Sequence, residues 1–210
     1  MIKPAPWKLE GSGFLVLLKR SALKKVDGSP IEGRGWFSYL MCLEYRNTPV
    51  GDYRELLLIP TLTPGTKGAS FTISHIYVDS QDSLESGRSN WGIPKELADM
   101  PWTQTRKTMA LDTLDGDQSW HASVKSLGPS LPFNTRLLPF PIIFQHDHDG
   151  KTYRTRPSAT GWSSLGKVET LDLDGFADIQ SYPKSAVVSV TFVSKFSMRF
   201  PEAEVFDSSE

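Results

Sequence analysis

Fifteen prolines and sixteen glycines divide the 210-residue sequence into short segments. Because both residues are unfavourable inside helices, this punctuation favours strands and turns over long helices. Apolar or alternating runs lie between the breaks, as is typical of strands. We therefore predict a mainly β (α+β) fold with a few short helices. One of them is a helical turn over residues 79–87, with N-cap candidates at its start and a glycine stop at Gly87. The predicted strands are 14–18, 36–45, 53–62, 71–78, 108–114, 119–126, 137–145, 151–156, 166–173 and 186–200.

Size, charge and apolar content restrict the class of protein. No linker or repeat divides the chain, so we expect a single domain over residues 1–210. The net charge of −1 gives no electrostatic footprint for nucleic acid. The longest apolar run, 14–18, is far shorter than the ~20 residues that span a bilayer, and residues 1–6 do not begin a signal peptide. We expect a cytoplasmic protein without membrane or nucleic-acid partners, in which Cys42 is a buried, inert thiol.

Residues 77–97 contain the strongest candidate for chemistry, Lys95. It follows a rigid, largely apolar approach, 90–94, in which Pro94 fixes its own φ angle. Residues 95–100 favour a helix after that proline, which would place Lys95 near the positive end of a short helix. A lysine is usually a solvated surface charge, but apolar neighbours and a helix N-terminus both disfavour the ammonium form.

A second candidate is Glu55, in the predicted strand 53–62. Strand side chains alternate between faces, so Tyr53, Glu55 and Leu57 share one face, and Leu56 shares the other with Leu58. A glutamate in such an apolar strand is either a buried carboxylate or a residue that faces water. The surrounding leucines favour the buried alternative.

These segments together resemble the acetoacetate decarboxylase family. Tyr77-Val78-Asp79, Gly87-Arg88 and Pro94-Lys95 are similar, in this order, to its Tyr-aliphatic-Asp, Gly-Arg and Pro-Lys motifs. Residues 51–55, GDYRE, are similar to its Gly-x-Tyr-x-Glu segment, and the ends of the chain are also compatible. The resemblance implies an acetoacetate decarboxylase-like β-barrel whose interior holds the lysine, which agrees with the strand pattern.

The resemblance also implies a function. Lys95 would form a Schiff base with a ketone or β-keto acid, and Glu55 would assist proton transfer, so the protein would be a lyase-type enzyme. Tyr53 and Trp91 would line the substrate pocket. Arg88 would either contact substrate or pair with Asp79 or Glu85. The resemblance implies no cofactor, and its members often form oligomers, so a homo-oligomer is a candidate assembly.

Two positions depart from the family pattern. Glu96 stands where the founding members have a second lysine, and it would favour the ammonium form of Lys95 if it approached the amine. Glu96 is therefore a candidate for the site, or it points to solvent. Residues 10–13 lack the arginine that helps the family to handle a substrate carboxylate. The arginines that could replace it are Arg34, Arg54 and Arg88.

These departures favour a larger, polyketide-like ketone of secondary metabolism over acetoacetate itself. The reaction would be a decarboxylation, an aldol condensation with dehydration, or a cyclisation. The alternative is a non-covalent ligand-binding barrel, or a cyclase or isomerase, in which Lys95 is not a nucleophile. Lys95 would then pair with a ligand anion or with Glu55.

Residues 146–149, HDHD, have ligand types that suit zinc or iron. They precede Gly150 and lack a third ligand at motif spacing, so a solvated hairpin tip is favoured over a metal site. The sequence contains neither a Gly-x-Ser-x-Gly elbow nor a phosphate-binding loop. We therefore predict that the protein has no metal or cofactor.

Overall fold

A computed structural model of the chain describes residues 1–31, 35–65 and 68–207. Over these residues the chain forms sixteen strands, one α-helix and four single-turn 3-10 helices. The α-helix, α1, spans Gln81–Trp91, and the 3-10 helices span Arg20–Ala22, Thr135–Leu137, Phe176–Asp178 and Lys184–Ala186. The strands are β1 (Trp7–Lys19), β2 (Phe37–Arg46), β3 (Tyr53–Ile59), β4 (Leu62–Gly65), β5 (Gly68–Phe71), β6 (His75–Val78), β7 (Lys95–Leu97), β8 (Trp102–Gln104), β9 (Thr108–Asp115), β10 (Gln118–Ser126), β11 (Leu131–Asn134), β12 (Phe144–His148), β13 (Lys151–Thr155), β14 (Ser158–Asp172), β15 (Val187–Phe200) and β16 (Glu204–Asp207).

Most strands belong to one long sheet that curls into a half-barrel. Its order is β7-β6-β3-β2-β1-β15-β14-β10-β9-β8, with β11 on the side of β14. A smaller sheet has the order β16-β13-β12-β5-β4. The predicted mainly β, barrel-like fold is confirmed. None of the described helices is long and apolar enough to cross a membrane.

Both faces of the long sheet are packed with apolar side chains. β3 shows this directly, because Leu56 and Leu58 enter one core cluster while Tyr53 and Leu57 enter the other. The predicted alternation along this strand is therefore confirmed. The second cluster includes Trp91 of α1, and Phe71 and Phe144 of the smaller sheet pack against it. A side chain on this face of β3 is therefore covered by α1 and by the smaller sheet.

The segment from β6 to β7 differs from the sequence prediction in two respects. Ser80 caps α1 by accepting a hydrogen bond from the backbone N–H of Ser83, and α1 continues through Gly87 to a left-handed C-cap at Gly92 (φ 62°). The predicted glycine stop at Gly87 is thus wrong. The predicted helix after Pro94 is wrong too, because residues 95–97 form β7 and pair in parallel with β6. Pairing with the sheet overrides a weak helical propensity.

The predicted strand over 137–145 is also wrong for most of its length. A 3-10 helix ends at Leu137, and β12 begins only at Phe144. Pro139 and Pro141 lie between them and have no backbone N–H to donate to a sheet. The other predicted strands correspond to observed ones, although β1 and β14 are longer than predicted and the segment 71–78 is divided between β5 and β6.

Candidate active site

The amine of Lys95 lies in a buried polar cluster. Its Nζ atom donates to Oε1 of Glu55 at 2.6 Å and to Oγ of Ser83 at 2.9 Å. The two charged side chains are only 4% and 5% exposed. Burying both charges is costly unless they are paired and hydrogen-bonded, as they are here. The predicted buried state of both residues agrees with this geometry.

The sheet register brings the two side chains together. β6 lies between β3 and β7, and Val78 is opposite Glu55 in the antiparallel pair β3–β6. On the other side of β6, Ile76 is the parallel partner of Lys95. Glu55, Ile76 and Val78 all face the cluster that contains Tyr53 and Trp91. Lys95 therefore reaches Glu55 across one intervening strand.

Ser83 is a site residue that the sequence analysis did not identify. It is fully buried in the first turn of α1, where its hydroxyl meets the Lys95 amine. The amine therefore lies beside the N-terminal turn of a helix, although this is α1 and not the helix predicted after Pro94. The sequence did contain a signal for Ser83, because Ser83 lies one helical turn before Gly87 of the Gly-Arg motif and shares a helix face with it.

Tyr53 forms an aromatic wall of the cluster. Its ring centroid is 5.1 Å from Nζ of Lys95, and its ring stacks on that of Tyr45 with centroids 4.7 Å apart. Burial raises the pKa of the Tyr53 hydroxyl well above its usual value, and the Glu55 carboxylate raises it further, whereas hydrogen bonding to Ser83 lowers it. Burial and Glu55 raise the pKa of Tyr45 in the same way. Both phenols therefore remain protonated and available as donors.

Arg88 holds the backbone of the lysine. Its Nε and Nη2 atoms donate to the Lys95 carbonyl oxygen at 3.0 and 2.5 Å. Of the alternatives for Arg88, the pairing with Asp79 is not observed, because Asp79 accepts from Arg54, through the backbone N–H at 2.7 Å and Nη1 at 3.0 Å. Arg54 and Arg88 are thus both engaged in the fold, and Arg34 lies outside the described residues.

Glu96 and Trp91 are the two remaining candidates. Glu96 is exposed and is the register partner of Tyr77. Adjacent strand residues project to opposite faces, so Glu96 points away from the face of Lys95. Trp91 is buried, donates from Nε1 to the Pro201 carbonyl at 2.7 Å and packs edge-on against Trp7. Trp91 therefore joins α1 to the two ends of the chain, while Glu96 faces away from Lys95.

The HDHD segment forms a hairpin, with β12 paired to β13 through a turn at Asp149 and Gly150. The expectation of a solvated tip is wrong for His146, whose ring is buried and accepts at Nε2 from the Ile73 N–H at 3.1 Å. Within residues 1–31, 35–65 and 68–207, no three His, Cys, Asp or Glu side chains are grouped as metal ligands would be.

The structure also has an open cavity of about 890 Å³ that is lined by residues of β1, β2, β8, β11, β14 and β15. Glu10, Arg46, Gln104, Trp162 and Lys195 are among its lining residues, whereas Lys95 and Glu55 are not. Phe196 lines this cavity and packs edge-on against Tyr45, which in turn stacks on Tyr53. A row of aromatic rings therefore separates the cavity from the Lys95 amine.

The curled sheet gives the protein an acetoacetate decarboxylase-like fold. The family model for acetoacetate decarboxylase (ADC) matches residues 34–124, which include Glu55, Ser83 and Lys95. The resemblance to the acetoacetate decarboxylase family that the sequence motifs predict is confirmed over these residues. The similarity is thus to a family of enzymes. No curated protein sequence matches the chain.

Solved structures with the same fold cover nearly the whole chain. An acetoacetate decarboxylase is 15% identical, with a TM-score of 0.69 over 98% of this chain and 91% of its own. An acetoacetate decarboxylase-like enzyme from Sphingomonas wittichii RW1 is 13% identical, with a TM-score of 0.66 over 99% and 95%. The enduracididine biosynthesis enzyme MppR, complexed with pyruvate, is 11% identical, with a TM-score of 0.63 over 100% and 93%.

Proposed function

We propose that the protein is a lyase-type enzyme in which Lys95 forms a Schiff base with a ketone or keto acid. The observation that carries this proposal is the buried contact of 2.6 Å between the Lys95 amine and the Glu55 carboxylate. Schiff-base formation needs both a free amine and a proton carrier, and this pair supplies both. Proton transfer from the ammonium to the carboxylate leaves an amine and a carboxylic acid.

The reaction then uses these two groups in turn. The amine bonds to the carbonyl carbon, and the oxygen leaves as water with one proton from Nζ and one from Glu55. The product is a cationic iminium beside an ionised Glu55. The iminium accepts the electron pair of a breaking carbon–carbon or carbon–hydrogen bond, and Glu55 carries the proton that is removed or returned.

Two observations bear on the substrate. Arg54 pairs with Asp79, and Arg88 directs Nε and Nη2 to the Lys95 carbonyl, so both guanidinium groups already have roles in the fold. We propose a ketone larger than acetoacetate, consistent with secondary metabolism. MppR has also been solved with the condensation product of pyruvate and imidazole 4-carboxaldehyde. An aldol-type reaction is therefore proposed together with decarboxylation.

Borohydride trapping tests the proposal. The protein is incubated with acetone, pyruvate and acetoacetate in separate reactions, reduced, and analysed by intact mass and peptide mapping. The expected result is a covalent adduct on Lys95 that is absent from Lys95→Ala. An adduct that persists in Lys95→Ala, or that maps to other lysines, would contradict the assignment of the nucleophile.

One observation favours a second function, a non-covalent ligand-binding barrel or isomerase. Nζ donates hydrogen bonds to Glu55 and Ser83, so the Lys95 ammonium can stabilise the fold without reacting with a substrate. This function predicts ligand binding that resists borohydride and leaves no adduct. Larger cyclic ketones, used as further probes, distinguish this outcome from a site that excludes small ones.

A further inference from the structure

The neutral hydroxyl group of Ser83 contacts the reacting nitrogen of Lys95. We infer that Ser83 is a catalytic residue that accepts the single N–H of the iminium and fixes the plane of its C=N bond. This inference rests on the proposed function and assigns a role that the Lys95–Glu55 pair alone does not provide. It is carried by the 2.9 Å contact of the Ser83 hydroxyl with Nζ and by the complete burial of Ser83.

The number of protons on nitrogen changes during the reaction. An ammonium has three N–H donors, and in this structure two of them are directed to Glu55 and Ser83. The iminium retains one N–H, so it can keep only one of these two acceptors. Glu55 must leave the nitrogen to carry protons to and from carbon. Ser83 is therefore the acceptor that remains.

A neutral acceptor suits this step better than a charged one. A carboxylate bonded to the iminium N–H would offset the positive charge that makes the iminium an electron sink. A hydroxyl satisfies the buried N–H and leaves that charge in place. Ser83 itself is held by α1, because its backbone N–H donates to Ser80 Oγ at 3.2 Å. The acceptor therefore has a fixed position relative to β7.

The plane of the iminium determines which bond can break. The N–H lies in the plane of C=N, so an acceptor at a fixed position orients that plane. A bond on the neighbouring carbon breaks most readily when it is perpendicular to the plane, where its electron pair overlaps the π system. Ser83 consequently directs reactivity by orientation.

The test follows α-proton exchange in acetone, because this reaction needs only the iminium. The α C–H bond breaks, its electron pair forms C=C, and the C=N π pair returns to nitrogen. The proton passes to Glu55, which exchanges it with D₂O and returns deuterium to carbon. Proton NMR measures the exchange rate, and borohydride trapping measures the amount of adduct on Lys95 in the same samples.

We expect Ser83→Ala to lower the exchange rate per adduct at least about tenfold, because orientation is lost while the nucleophile remains. Ser83→Thr, which keeps the hydroxyl, should retain most of the rate. Ser86→Ala is the matched control, because Ser86 is also fully buried in α1 but accepts from the Lys3 backbone N–H instead. If threonine prevents folding, as judged by circular dichroism, Ser83→Cys replaces it and should give an intermediate rate.

The outcomes separate this inference from the proposed function. A wild-type adduct together with an unchanged exchange rate in Ser83→Ala would overturn the role of Ser83 and leave the Schiff base intact. Equal losses in Ser83→Ala and Ser86→Ala would show that helix packing causes the effect, which also overturns the role. Absence of any adduct in the wild-type protein would overturn the proposed function, and the role of Ser83 with it.

Discussion

Gly87 lies directly against the side chain of Lys95. A Cβ atom added to Gly87 would come within 2.7 Å of both Cδ and Cε of the lysine. The side chain of Lys95 thus requires a glycine at this position of α1, and Gly87 does not end the helix. The lysine chain passes across the helix to reach Ser83 and Glu55, and only a residue without a side chain leaves room for it.

Gly87→Ala should therefore displace the Lys95 amine from Glu55 and Ser83. Alanine is normally about 1 kcal/mol better than glycine inside a helix, so any loss of stability measures the clash. We expect reduced trapping at Lys95 together with a lower midpoint in urea. Gly128→Ala is the control, because its Cβ would meet no atom within 4 Å. Equal trapping in both variants would show that α1 can shift without affecting the amine.

Replacing one member of the buried Lys95–Glu55 pair should lower the free energy of unfolding more than replacing both members. Lys95→Met leaves the Glu55 carboxylate buried without its partner, and we expect a loss of about 3–5 kcal/mol in the free energy of unfolding. The double variant Lys95→Met/Glu55→Leu should recover most of this loss, because no charge then remains buried. Urea unfolding of the two single variants and the double variant checks this. Strictly additive losses would mean that the two side chains do not interact.

Glu96→Lys should leave the reactivity of Lys95 unchanged. A lysine at position 96 would project from the face of β7 that carries Glu96 and not from the face of the amine. We expect the pH profile of borohydride trapping at Lys95 to match that of the wild type. Glu96→Gln separates loss of the negative charge from gain of a positive one. A profile that moves to lower pH only in Glu96→Lys would mean that the new ammonium reaches the site.

His146 should make the fold sensitive to acid. Burial lowers the pKa of its imidazole to about 4, opposed by the neighbouring Asp147. Since the folded pKa is below the unfolded value, the unfolded state binds the proton first as the pH falls. The stabilisation is complete above about pH 6.5 and is lost towards pH 4, with a size of about 3 kcal/mol.

Urea unfolding between pH 7 and 4 measures this contribution. His146→Gln keeps an acceptor for the Ile73 N–H and should unfold with a shallower dependence on pH. His148→Gln is the control, because the side chain of His148 is 39% exposed. Identical slopes for wild type and His146→Gln would contradict the assignment to His146.

The sequence predicted the parts of the site that depend on local pattern. Alternation along β3 predicted that Glu55 shares a face with Tyr53, and the Pro94-Lys95 motif selected Lys95, whose amine is buried against Glu55. It did not predict what the amine contacts, since Ser83 meets Lys95 only because β7 pairs with β6 and returns the chain to the first turn of α1. The role of Arg88 was also hidden, because its acceptor is a backbone carbonyl, which every residue has.

The position of β7 affects how molecules of this protein meet one another. β7 is the outermost strand of the long sheet, and an unpaired strand edge can recruit a strand from another molecule. Arg88 covers the Lys95 carbonyl with two donors, and β7 is only three residues long. The arginine that holds the lysine backbone thus also withdraws a hydrogen-bond acceptor from this edge, which protects the protein from strand addition and aggregation.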